Sequence, residues 1–161
     1  DLVPGEGPVV FPIATDEGER LLGSLISFEG AFVRSMRSEV NAGARLMVVA
    51  TNHGSYGRTP ASDQFIGIVR MSAASLGVDV VHGAVTGRKT IIRADGSVAH
   101  RTDQFEATLY SGVVRFQDSP RTLYAIAGDW MQMLAMAAGI VALIGFREAR
   151  RGFRMRPEVR R

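Results

Sequence analysis

An α/β domain followed by one C-terminal transmembrane helix is the architecture that this sequence predicts, on three observations. Apolar runs of strand length, Leu21–Phe28, Leu46–Thr51 and Val78–Ala84, are separated by segments with helical spacing. Two shorter segments, Thr90–Arg93 and Val98–Arg101, then flank a Gly-containing turn, as in a hairpin. Finally, Trp130–Phe146 is a stretch of 17 residues with no charge, ended by Arg147.

The elements follow in order. Residues 1–12 are rich in Pro and Gly and read as a loop. Leu21–Phe28 reads as a central strand. Phe32–Asn41 places Phe32, Val33, Met36 and Val40 at helical spacing, with Gly43 as the stop. Leu46–Thr51 is a second buried strand, and Asn52–Pro60 a loop. Ala61–Leu76 reads as a helix with Phe65, Ile68, Val69, Ser72 and Leu76 along one face. Val78–Ala84 is a strand. Thr90–Arg93 and Val98–Arg101 form a hairpin around Ala94–Ser97. Phe105–Phe116 carries a further long strand, loosely alternating through Leu109, Val113 and Val114, before a linker with Pro120.

The apolar stretch is weighed against a buried core helix. At 1.5 Å per residue it reaches roughly 25 Å, short for a bilayer core. Apolarity all round, the abrupt arginines, and Tyr124 and Trp130 at interfacial positions favour a span over residues 125–146. Ala135, Ala138, Gly139 and Ala142 give it a small-residue face suited to packing against other membrane helices. The tail, residues 147–161, holds seven arginines against Glu148 and Glu158, or +5. The whole chain carries +3, so residues 1–146 sum to −2. The basic character belongs to the tail, which reads as a cytoplasmic anchor against anionic headgroups. The remainder is no basic nucleic-acid reader, so no nucleic-acid partner is expected. Residues 1–124 are then expected outside the cytoplasm, which calls for further membrane helices upstream.

There is no cysteine, which excludes disulfides, thiolate metal sites and Cys nucleophiles, and Lys89 is the sole lysine. His53, His82 and His100 share no metal-ligand spacing, and neither metal nor cofactor is expected. Gly83–Thr90 has a superficial phosphate-loop look, but lacks the G-x-x-x-x-G-K-[ST] order and leads into a strand.

Leu25-Ile26-Ser27-Phe28-Glu29 ends a buried strand and opens a helix, the position of a nucleophile elbow. Asn52-His53-Gly54-Ser55-Tyr56-Gly57 follows the next strand. Gln64, Arg70, Ala73, Gly87, the Asp95-Gly96 turn, Ser119–Ala125 and Gly128-Asp129-Trp130 continue the order into the apolar helix. From Gly7 to Arg151 this resembles the second half of the nitrilase-like domain of bacterial apolipoprotein N-acyltransferases, with their last membrane helix. The resemblance implies a partial nitrilase-like α-β-β-α sandwich. It also implies an activity: an acyl chain passes from a membrane phospholipid, through a thioester on Cys, to the N-terminus of a lipoprotein. That chemistry uses Cys as nucleophile, Glu as base and Lys at the oxyanion.

Several residues depart from the family pattern. Ser27 stands at the Cys position. The family's Lys and base come from upstream strands, and the 26 residues before Ser27 hold no lysine, only Glu6, Glu17 and Glu19 in loop-like sequence. Glu29 keeps the second Glu of the nucleophile motif. The bulky pair of the substrate loop becomes Ser55-Tyr56. An Arg-x-Arg-Ala-x-Glu helix reads Arg70–Ser75, with Ser72 and Ser75 in place of its second Arg and its Glu. An Asn-x-Gly reads Val85-Thr86-Gly87. As candidate site residues these give Ser27 as nucleophile position, Glu29 as functional carboxylate or helix-start carboxylate, and Ser55 and Tyr56 for substrate. Three functional readings compete: a C-terminal fragment or split half completed by an upstream half, a catalytically dead membrane-anchored interaction module, and a Ser-dependent carbon–nitrogen hydrolase.

Overall fold

The computed structural model of the chain describes residues 7–118 and 122–154. Pro120 and the tail beyond Arg154 therefore lie outside the described residues. The chain divides into two compact units, 1–126 and 127–161.

The first unit is built on a six-stranded mixed sheet in the order β1 to β6. β1 is Val10–Thr15, β2 Gly18–Ile26, β3 Leu46–Thr51, β4 Asp79–Ala84, β5 Thr90–Ile92 and β6 Val98–Arg101. β2, β3 and β4 are parallel, while β1 and the β5–β6 hairpin add antiparallel edges. Helices α1 (Val33–Asn41) and α2 (Ala61–Leu76) make the two parallel crossovers. Both pack on one sheet face. Met36 and Val40 of α1 and Phe65, Val69, Ala73 and Leu76 of α2 close over Leu25, Met47, Val49 and Val80. The α/β class is that expected from the sequence. Gly43, at φ 114°, turns the chain out of α1 in a conformation costly for any residue with a Cβ.

Four expectations are corrected. The N-terminal segment is not loop throughout, because Val10–Thr15 pairs antiparallel along β2. It tolerates Pro12 because it is an edge strand. Glu19 consequently lies in a strand and not in a loop. On α2, Ile68 is 42% exposed, and the buried stripe runs instead through Ser62, Phe65, Ile66, Val69, Ser72, Ala73 and Leu76. Phe105–Phe116 forms no strand. Leu109 is 93% and Val113 76% exposed, and the segment's backbone is claimed by side chains and turns instead of a ladder. Arg93 donates to the Val113 carbonyl (2.8 Å), Asp79 accepts the Arg115 amide (3.1 Å), and the Gln117 amide bonds Arg45 O (2.9 Å).

The opposite sheet face is less covered. Leu22, Ser24, Val48 and Val81 are half-buried and Ile26 is 68% exposed. Arg37 of α1 donates to the Tyr124, Ala125 and Ile126 carbonyls, closing the end of α3, Leu123–Ala127.

In the second unit, α4 runs from Trp130 to Arg154. Trp130–Arg147 is long and apolar enough to cross a membrane by length and composition. The helix does not end at Arg147 but continues through the described part of the arginine segment.

Candidate active site

β2 delivers the chain to Ser27 at the carboxyl end of the sheet. Ser27 has φ 58°, one of two non-glycine residues with positive φ among the described residues. A left-handed residue between a strand and the short 3-10 turn Ser27–Ala31 is the backbone of a nucleophile elbow. Non-glycine residues held in this region cluster at active sites and ligand clamps. Gly30 lets the turn sit against Val49 and Phe65. Glu29 turns back, and its carboxylate accepts the Ile26 amide at 3.2 Å, closing the turn that carries Ser27. Below, Glu39 of α1 is buried and accepts the Ser24 amide at 2.6 Å, with burial raising its carboxyl above the ordinary range.

Ser27 opens into a groove of about 510 Å³ across the carboxyl ends of β2, β3 and β4. Its walls include Ile26, Thr51, Asn52, Val85 and Lys89. Open α/β sheets bind ligands at this end of their parallel strands. Asn52 is held by its own loop, its Oδ1 accepting the Gly54 amide (2.9 Å) and the Thr86 hydroxyl (3.1 Å). Lys89 donates to the Glu106 carbonyl at 2.8 Å. An ammonium has three donors, so this bond leaves others for the groove. Lys89 is the residue that sequence reasoning missed, noticed only as the sole lysine. No spacing relates it to Ser27, since it reaches the groove through the fold of the β4–β5 connection.

Ser55 and Tyr56 form a short 3-10 turn, Gly54–Tyr56, and neither lines this groove. Tyr56 packs its ring 4.9 Å from that of His53. His53 and His82 lie together beneath the groove's loops, both buried, while His100 stacks on Tyr110. Ser72 and Ser75 bond the Ile68 and Ser72 carbonyls of their own helix, so both hydroxyls are satisfied locally. Arg70 bonds the Gly96 carbonyl at 2.8 Å.

Gly87 backs directly onto His53, whose Cγ would stand 2.8 Å from an added Cβ. Gly87→Ala is expected to lower the unfolding free energy by about 1–3 kcal/mol through overpacking. Urea unfolding of the detergent-solubilised chain, followed by circular dichroism, measures this, and an unchanged midpoint would refute it.

No family model matches the chain. Among solved structures, a mutant of the Nesterenkonia AN1 amidase from the nitrilase superfamily is similar at 21% identity and a TM-score of 0.49, over 65% of this chain and 40% of that one. A carbon-nitrogen hydrolase from Helicobacter pylori G27 is similar at 15% identity and a TM-score of 0.48, over 59% of this chain and 40% of that one. Among curated proteins, the apolipoprotein N-acyltransferase of Geobacter metallireducens is 34% identical over 83% of this chain and 26% of its own length. That of Gloeobacter violaceus is 30% identical over 92% of this chain and 31% of its own length. The chain thus spans about a quarter to a third of the length of these curated relatives. Over that length, it belongs to the apolipoprotein N-acyltransferase family.

Proposed function

We propose that this chain is the C-terminal part of an apolipoprotein N-acyltransferase-type membrane protein and works with an upstream half that carries the other membrane helices. The observation that carries the reading is Ser27, at the nucleophile position, in a left-handed elbow at the mouth of a groove. In this reading the nucleophile takes an acyl group from a phospholipid, releasing the lipid's alcohol. The amine at a lipoprotein N-terminus then attacks the acyl-enzyme and restores the free side chain. Residues 1–124 lie outside the cytoplasm, α4 crosses the membrane and the arginine tail lies in the cytoplasm.

The chain alone is not catalytic. A serine hydroxyl needs an adjacent base. Among the described residues, Glu29 is bonded to the Ile26 amide and Glu39 to the Ser24 amide. The base, and in the family pattern a second lysine, come from the upstream half.

The test is co-expression of the chain with the upstream half of a relative, assayed by acyl transfer to a diacylated lipopeptide. Transfer is expected with both halves and not with either one. Activity of the chain alone would refute the split reading. An inert complex, even with Ser27→Cys, would refute catalysis by the assembled halves and favour the dead interaction module.

A further inference from the structure

We propose that His82 is the positioning residue of the Ser27 groove and makes that groove acid-sensitive. Its imidazole ties together two of the segments that line the groove, and a charged ring is costly in the buried position that the tie requires. The inference rests on the groove being the functional site.

His82 lies on β4 and is 1% exposed. Its Nδ1 stands 3.0 Å from the Arg88 carbonyl, which can only accept, so Nδ1 carries the proton. Nε2 is therefore the acceptor, and the Thr51 hydroxyl at 3.2 Å donates to it. Thr51 lines the groove from the end of β3, and Lys89, next to Arg88, lines it from the β4–β5 connection. One neutral tautomer thus struts the two segments at a fixed separation.

A second imidazole backs the strut. His53 is 3% exposed, with its ring centroid 5.3 Å from that of His82. Its Nδ1 pairs with Ser62 Oγ at 2.9 Å, while its buried Nε2 has no partner. Phe65 of α2 packs 5.0 Å from one ring and 5.5 Å from the other.

The surroundings offer no counter-charge that is not already engaged. β3 presents Thr51 and β5 presents Thr90, both uncharged. The 54–56 turn presents Tyr56. From α2 comes Asp63, held by Arg88 Nε at 2.9 Å and Arg101 Nη1 at 3.4 Å. Arg88 also pairs with Asp103. The Thr51 hydroxyl can turn to accept, so what opposes protonation is a charge buried away from water beside His53 and Phe65.

Burial, with the neighbouring His53, holds His82 down to about 4, and burial lowers His53 as well. A histidine depressed in the closed state binds fewer protons there than when opened to water. The tie is therefore complete above the ordinary value of about 6.5 and is lost as pH falls from there toward about 4.

The test is hydrogen exchange of the full chain in lipid nanodiscs, corrected for intrinsic exchange, read at residues 50–57 and 85–90. Protection of both segments should fall by about tenfold or more between about pH 7 and pH 4.5. Because burial lowers His53 too, the variant is compared in the His53→Gln chain, where His82→Gln, which keeps an amide donor and acceptor but does not titrate, should remove that fall. Loss of protection in step with wild type, or no fall in wild type, would overturn the proposal. Should the variant fail to fold, proton resonances of His82 in the wild-type chain decide. A midpoint near 6.5 overturns the proposal and one far below supports it. Exchange reads no acyl transfer, so this result stands apart from the co-expression assay.

Discussion

Ser27→Cys is expected to raise acyl transfer by the assembled halves on the order of 10²-fold or more. The backbone at Ser27 is already in the left-handed elbow at φ 58°, and the exchange swaps one γ atom on an unbranched side chain. The change is therefore confined to the nucleophile. A thiol has a small thiolate fraction near neutral pH and is intrinsically nucleophilic, whereas a hydroxyl must lose its proton to a base during attack. The groove, its Lys89 wall and the Glu29 bond to Ile26 stay as they are. Initial rates on a diacylated lipopeptide, with Ser27→Ala as the blank, measure the effect. Equal rates for the Ser, Cys and Ala forms would remove Ser27 from the reaction.

Asp79→Ala is expected to cost about 3–5 kcal/mol of unfolding free energy, because it removes one acceptor from several donors at once. Asp79 is 1% exposed at the start of β4. Its carboxylate accepts from Arg93 Nη1 (3.0 Å), the Ala94 amide (2.9 Å), the Arg115 amide (3.1 Å) and Gln117 Nε2 (2.9 Å). The substitution strands two backbone amides, a side-chain amide and half of an ion pair at once. Asp79→Asn keeps two acceptor sites and should lose less. Urea unfolding with both variants decides, and the idea fails if alanine costs no more than asparagine.

How much of this was legible beforehand depends on whether local pattern or distant partners decide each segment. β3 and α2 match their expected bounds, because Leu46–Ala50 is an unbroken apolar run and Gly77, at φ 68°, ends the helix. β1 was hidden because Pro12 argues against a strand and only its edge position makes that harmless. Phe105–Phe116 carried apolar residues at strand-like spacing, but Asp79 and Arg93, far off in sequence, take its backbone groups. Within the site, the elbow at Ser27 could be read from a strand running into a helix. The groove wall at Lys89, and the placing of Ser55 and Tyr56 outside that wall, could not. Both depend on where the β3–α2 and β4–β5 connections come to rest.

The unbroken course of α4 through Arg147 sets a rule about length. A flexible tail would let its charges find their own level whatever the apolar stretch above it did. A helix instead acts as a ruler. Each residue inserted between Trp130 and Phe146 carries every later position about 1.5 Å along the axis and roughly 100° around it. Exchange of one apolar residue for another leaves that phase untouched. The segment should therefore tolerate changes of composition far more readily than a change of one residue in its count.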